Sequence, residues 1–307
     1  MNKYIITGVA GFVGYHFVEY LKQNDKTSQI IGVDIASKID LDIQYHQLDL
    51  NNKVELEKVI KTCAPDYIVH LASISSVGQS WQDPASCFQN NTTIMLNILE
   101  AIVKNKLKTR VLSIGSSEEY GNGKMPLKED MLLNPQNPYA VAKVSQEMLC
   151  RLYAQNMGVD IVMTRSFNHI GPRQSERFVI PSFIRQLVKI SQGVENKLFV
   201  GNIDVARDFT DVRDVVDAYY KILTSGESGA IYNVCSGRGY KLREIIEETA
   251  KILNIEPQIV VDESRIRPND ITYIVGDNTK LKTQLGWEQK FTLQDTLSDI
   301  IEYWKKK

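Results

Sequence analysis

Short apolar runs alternate with longer amphipathic ones through the first half of the chain. Residues 3–7 form an apolar run that reads as a buried strand, and Phe12, Val13, Phe17, Val18 and Leu21 follow at helical spacing. The same reading gives strands at 29–34, 44–48, 67–71, 110–114 and 159–165. It gives helices at 54–63, at 88–104 and after Tyr139. This alternation predicts an α/β fold built on a doubly wound parallel sheet, whose ligands bind beyond the carboxyl ends of the strands. The residues just after each strand are therefore the ones to inspect: Asp49 and Leu50, Leu71-Ala72-Ser73, Ser116-Ser117-Glu118 and Ser166-Phe167-Asn168. The second half is less regular, with loops rich in Arg, Asn and Gly, and predicts a smaller C-terminal α/β part that binds substrate. The expected division is 1–167 plus about 203–232 for one domain, and 168–202 with 233–307 for the other. No internal repeat, low-complexity tract or flexible linker interrupts it.

Composition narrows the class only a little. With 36 basic and 37 acidic residues in 307, no global field points to nucleic acid or to a membrane surface. No run of about 18 apolar residues occurs, and the N-terminus opens a strand rather than a signal peptide, so a cytoplasmic protein is expected. Cys63, Cys87, Cys150 and Cys235 are widely spaced, with no C-x-x-C and no clustered His. They read as reduced core thiols, and no metal site is expected.

The turn after the first strand carries Gly8, Gly11 and Gly14 in a G-x-x-G-x-x-G frame. A strand feeding a helix through such a turn, with Phe12 and Val13 in the first helical turn, brings backbone N–H groups close to a pyrophosphate. Glycines alone could equally mark a tight turn. What strengthens the dinucleotide reading is a second strand ending in Asp34, somewhat beyond the ~20 residues at which a carboxylate meets the adenosine ribose. That carboxylate would repel a 2′-phosphate, which favours NAD(H). Lys38 nearby keeps NADP(H) possible.

Tyr139 and Lys143 stand four residues apart in Asn-Pro-Tyr-Ala-Val-Ala-Lys, on one face of a predicted helix. A phenol ordinarily titrates near ~10, and a cation beside it favours the phenolate, moving it towards the working range. Alone, the pair could be a packed ring and a solvated charge. Likewise Ser113 to Gly121, with Ser116 and Glu118, could be a Ser/Glu-rich helix cap.

Taken together, Thr7 to Gly14, Ser116, Tyr139 and Lys143 resemble the extended branch of the short-chain dehydrogenase/reductase family, over essentially the whole chain. The resemblance implies a Rossmann-type sheet that binds a dinucleotide through Gly8, Gly11, Phe12, Val13, Gly14, Asp34, Asp49, Leu50, Leu71, Ala72, Ser73, Tyr139 and Lys143. It implies Ser116 bonding the reacting oxygen, Tyr139 as acid/base, and Lys143 tuning the phenol and holding the nicotinamide ribose. Finer motifs are similar to those of the GDP-4-keto-6-deoxy-D-mannose reductases: residues 115–121, 168–174, 178–185, 207–214, 267–271 and 276–287. That likeness implies a nucleotide-sugar substrate, most readily a GDP-sugar, bound by Ser117, Asn168, Arg173, Val179, Arg207 and Arg267. A diphosphate is a natural bidentate partner for guanidinium, although each Arg could instead pair with Asp208, Asp211 or Asp270.

Three alternatives stay open. Nucleotide-sugar 4,6-dehydratases carry an acid at the position of Glu118, where it removes the C5 proton. A 4-epimerase uses the same Ser, Tyr and Lys without that acid. Catalytically silent relatives that bind a dinucleotide lack the Tyr or the Lys, both of which are present here. The family also implies a homodimer through a four-helix bundle. The stretch 88–103, with Ile94, Met95, Ile98, Leu99 and Ile102, and the helix after Tyr139 offer apolar surface for it.

Overall fold

The computed structural model describes residues 1–266 and 271–307. Among the described residues, seven strands form one parallel sheet: β1 (Lys3–Thr7), β2 (Gln29–Asp34), β3 (Gln44–Gln47), β4 (Tyr67–His70), β5 (Arg110–Ser116), β6 (Ile161–Ser166) and the later Ile231–Val234. The chain runs from β1 outward through β2 to β3, then returns to place β4 on the other side of β1. From there it continues through β5 and β6 to Ile231–Val234 at the far edge. The order reverses between β1 and β4, the kind of point beyond whose carboxyl ends doubly wound sheets bind their ligands.

Side-chain alternation divides the sheet between two cores. Tyr4 and Ile6 of β1 face one layer with Phe17, Val18 and Leu21 of α1 (Phe12–Asn24). Ile5, between them, faces the opposite layer with Leu56 and Ile60 of α2 (Lys53–Cys63). Each fully buried Phe, Val or Leu side chain contributes roughly 1.5–3 kcal/mol, so three on one face are enough to fix α1 and the turn before it. The short α3 (Val77–Gln82) leads into α4 (Pro84–Lys104), which begins four residues before the predicted start because Asp83 caps Ser86 N and Pro84 sits in the first turn.

The helix α5 (Pro138–Met157) begins with Asn137 as N-cap, its Oδ1 accepting from Ala140 N at 2.8 Å, and Pro138 in the first turn. It ends at Gly158, whose φ of 67° is the left-handed stop that glycine adopts at little cost. On its inner face Glu147 receives a two-pronged bond from buried Arg165 of β6, Nε to Oε2 at 2.8 Å and Nη2 to Oε1 at 2.9 Å. The Arg165 guanidinium also lies over the Tyr120 ring, 4.7 Å from its centroid. Removing one partner of such a buried pair costs about 3–5 kcal/mol, so α5 is locked to the strand beneath it.

The second half is more regular than its sequence suggests. Asn168–Ile170, Ala206–Asp211, Gly239–Lys241 and Tyr273–Ile274 make a small second sheet, and Lys197–Val200 pairs with Gln258–Val261. These strands run two to six residues, too short for alternation to register. The helices Val179–Ser191, Leu242–Leu253 and Leu293–Lys305 enclose a separate apolar core with Leu198 and Val200.

One expectation changes here. Ile94, Met95, Ile98, Leu99 and Ile102 of α4 are buried inside the chain, packed on α2 and the sheet. They offer no outer surface, because a helix between a sheet and two neighbours needs a wide apolar face. All four cysteines are free and buried, and no described helix is long and apolar enough to cross a membrane.

Candidate active site

Gly8 has a φ of 69°, and a Cβ there would stand 2.6 Å from Ala72 N. A side chain at Gly14 would stand 2.7 Å from Gly8 O and from Val9 Cα. The turn therefore lies flat on the end of β4, with Leu71 and Ala72 beneath it, at the point where the sheet order reverses. Gly11 is the N-cap of α1 and supplies no side-chain acceptor, so the N–H groups of the first turn are left for an incoming anion. These residues fit a pyrophosphate. Ser73 is held nearby by Asn91, Leu50 is buried, and Asp49 is exposed and accepts from Asn51.

Asp34 ends β2 with both carboxylate oxygens engaged, Oδ2 by Ala10 N at 3.0 Å and Oδ1 by Ala36 N at 3.1 Å. Next to it a cleft of about 330 Å³ is lined by Gly11, Phe12 and Tyr15 and by the cations Lys38, Arg173 and Lys307. Arg173 stacks on Tyr15, 3.8 Å from the ring centroid, and pairs with Asp40 at 3.0 Å. The structure thus places Arg173 at the glycine turn. Its neighbour in sequence, His169, stacks on Phe12, which carries the 168–174 segment to that end of the crevice.

Ser116, Glu118, Tyr139 and Lys143 come together at the ends of β5 and α5. Ser116 and Tyr139 are both buried, and the Ser116 side chain acts on the Tyr139 phenol to lower its pKa against the effect of burial. Lys143 Nζ lies 5.9 Å from the Tyr139 ring centroid and donates to Ile114 O at 2.8 Å. Ser116 begins a 3-10 turn over Ser117–Tyr120, its Oγ accepting from Glu118 N at 3.2 Å. Glu118 Oε2 accepts from Nδ2 of Asn137, the cap of α5, at 2.8 Å, so the two elements are joined across the site. Ser117 is buried beside them.

The electrostatics differ from the sequence expectation for Tyr139. Burial raises its pKa, and the charges of Glu119 and Glu118 raise it further, against the lowering bond from Ser116. Desolvation of the phenolate outweighs a cation nearly 6 Å away. Burial also pushes Lys143 down, to about 8, with Glu119 acting against it.

Glu119 went unnoticed in sequence. Its Oε1 accepts from Ser116 N at 2.6 Å in a fully buried setting, and burial with neighbouring Glu147 pushes its carboxyl up to about 8. Asn137 was also missed: it caps α5 and bonds Glu118 as well.

Apart from Ser117 and Arg173, the predicted substrate residues that are described lie along the second sheet and its helices. Asn168 is exposed at the start of Asn168–Ile170, and Val179 is exposed at the first turn of Val179–Ser191. Arg207 Nη1 donates to Ala206 O and Ile271 O. Of the acids weighed as partners, Asp208 is held by Ser236, Gly237 and Gly276, and Asp211 by Arg213 and Thr296, while Asp270 lies outside the described residues. Arg267 lies outside the described residues.

A Rossmann-type sheet with a glycine turn at its switch point and a buried Ser-Tyr-Lys group is the arrangement of an extended short-chain dehydrogenase/reductase. The chain belongs to the GDP-mannose 4,6 dehydratase family, whose pattern it matches over residues 5–300. It is 36% identical to GDP-6-deoxy-D-mannose reductase of Pseudomonas aeruginosa over 310 residues, covering 100% of this chain and 98% of that protein. The solved structure of RMD from Pseudomonas aeruginosa complexed with NADPH superposes with a TM-score of 0.90 at 35% identity, covering 100% of this chain and 99% of that one. GDP-mannose 4,6-dehydratase of Vibrio cholerae is 28% identical, covering 98% of this chain and 93% of the dehydratase.

Proposed function

We propose that this protein reduces the C4 ketone of a nucleotide-4-keto-6-deoxy-sugar, GDP-4-keto-6-deoxy-D-mannose, to GDP-D-rhamnose with a nicotinamide nucleotide. The observation that carries this reading is the buried Ser116–Tyr139 pair with Lys143 one turn behind it. A bound reduced dinucleotide would supply the hydride to C4. Ser116 and Tyr139 then hold the ketone oxygen, and Tyr139 gives its proton to the developing alkoxide. The raised pKa suits that role, because an acid must carry its proton at neutral pH. Lys143 holds the ribose and offsets the charge left on the phenolate.

Identity and alignment length favour the Pseudomonas reductase over the Vibrio dehydratase as the guide to this chain. The match to the Pseudomonas reductase runs over 310 residues, and that to the Vibrio dehydratase over 351, against 307 in this chain. The dehydratase carries segments that this chain lacks. Glu118, tied to Asn137, reads as orienting sugar hydroxyls. With GDP-4-keto-6-deoxy-D-mannose the protein should oxidise one NAD(P)H per sugar, and it should leave GDP-mannose with NAD⁺ untouched. Conversion of GDP-mannose to a 4-keto sugar, abolished by Glu118→Gln, would refute the reductase and establish the dehydratase.

For the cofactor, Asp34 favours NAD(H), while Lys38, Arg173 and Lys307 in the adjoining cleft offer charge to a 2′-phosphate. We read the site as accepting both forms, with NADPH binding the more salt-sensitive. The two-part division stated above, with a cytoplasmic location, completes this reading. So does pairing of two copies through α5, whose outer face exposes Val141, Met148 and Leu152. A monomeric mass at micromolar concentration would exclude the pairing.

A further inference from the structure

A polar layer lies beneath the Tyr139–Lys143 face, and the proposed chemistry makes no use of it. Gln146 follows Lys143 by three residues on α5 and is 1% exposed. Its Oε1 accepts from Lys143 Nζ at 3.1 Å. Its Nε2 donates to Ser113 Oγ at 2.8 Å and to Ile114 O at 3.3 Å, both on β5. Lys143 Nζ donates directly to Ile114 O at 2.8 Å as well. Two of the three ammonium protons are therefore held by the chain, and one is left for a ligand. The carboxamide cannot turn over, because its N–H groups would then face the ammonium.

We infer that Gln146 is the positioning residue of this site: it ties the Lys143 ammonium to β5, keeping it charged and aimed, without touching substrate or cofactor. This rests on reading Lys143 as the cation that serves Tyr139 and the dinucleotide. Packing alone would not select an amide here. The positions around it on the inner face of α5 include Ala142 and Cys150, and a buried amide is tolerated only when its polar atoms are bonded. Each bond that Gln146 makes goes to the ammonium or to the strand carrying Ser116.

The titratable groups facing Lys143 come from four elements. Glu119 follows β5 and favours the ammonium, Cys87 projects from α4, Cys150 and Tyr139 share α5, and His70 ends β4. Burial drives His70 down to about 3, so it stays neutral and does not repel the cation at neutral pH. Among the described residues, Gln146 is the side chain bonded directly to Nζ. Burial brings Lys143 to about 8, within reach of a pH titration.

The test follows the dissociation constant of NADPH, read by protein fluorescence, from pH 6 to 10, with kcat/KM for the keto-sugar alongside. Affinity should fall at high pH as Lys143 loses its proton. Gln146→Met removes the acceptor and should move that limb to lower pH by on the order of one unit, a tenfold change in proton affinity. Gln146→Glu keeps the shape, adds an anion, and should move it to higher pH. Limbs that stay where the wild type has them, or that shift in the same direction in both variants, would overturn the inference. If Gln146→Met does not fold, the upward shift in Gln146→Glu decides alone. Opposite shifts in binding without turnover of the keto-sugar would uphold Gln146 and sink the proposed reaction instead.

Discussion

Asn137 combines two tasks that substitution can separate. Its Oδ1 caps α5 through Ala140 N, and its Nδ2 donates to Glu118 Oε2, both at 2.8 Å. Asn137→Ala removes both. The cap contributes about 1 kcal/mol, and a bond to an ionised carboxylate about 1.5–3 kcal/mol. Glu118 is half-buried, so water replaces part of the second contribution. A destabilisation of roughly 2 kcal/mol is expected in urea unfolding at pH 7.5. Asn137→Asp keeps the cap, since Asp serves as well as Asn there, but sets a second carboxylate against Glu118. Repulsion near water is on the order of 1 kcal/mol, and Glu118 would swing away. Stability should then be lost less than in Asn137→Ala, while kcat/KM falls about tenfold in both, or ~1.4 kcal/mol. In Asn137→Asp that loss should shrink towards pH 5, where the introduced carboxyl takes up a proton and donates again. An Asn137→Asp enzyme as active as wild type at every pH would refute the link. So would an Asn137→Ala enzyme that unfolds at the wild-type midpoint.

Other expectations concern neighbouring residues. Tyr139→Phe should leave NADH binding nearly intact and lower turnover by ~10²–10⁴-fold in a nicotinamide absorbance assay. Glu119 binds its proton up to about pH 8 when folded but only to the ordinary carboxylate range when unfolded. Its contribution to stability therefore declines as pH rises through that window. Glu119→Gln should stabilise the protein relative to wild type at pH 8.5 more than at pH 5, in unfolding experiments at both. Gly8→Ala would force a Cβ against Ala72 N at a φ of 69°. Isothermal titration should show NADH affinity reduced by more than tenfold, about 1.4 kcal/mol.

Much of the sheet was legible because its strands are buried on both faces and separated by amphipathic helices. Runs such as Ile5-Ile6 and Ile30-Ile31 announce themselves. Element ends moved by one to four residues where a cap decided them, as Asp83 did for α4. The second half was opaque because a two-residue strand such as Tyr273–Ile274 has no period to detect. Within the site, the spacing of Tyr139 and Lys143 placed both on one face of α5. The direction of the Tyr139 shift was not legible, since it depends on burial, which the residues at hand do not encode locally. Gln146, Glu119 and Arg165 were equally hidden. A polar residue in an apolar helix reads as surface until its partners on another strand are known.

The cleft beside the glycine turn is bordered at once by Val9 to Phe12 and by Tyr303 and Lys307. During synthesis the first sheet strands leave the ribosome long before those last side chains do. A nucleotide bound in this cleft, as proposed, would gain its full set of contacts only after Tyr303 and Lys307 have emerged, and its stabilising effect would come only then. The early strands must persist on their own packing until then. Destabilising changes in β1 or α1 should accordingly reduce yield in cells even where added cofactor rescues the finished protein in a tube.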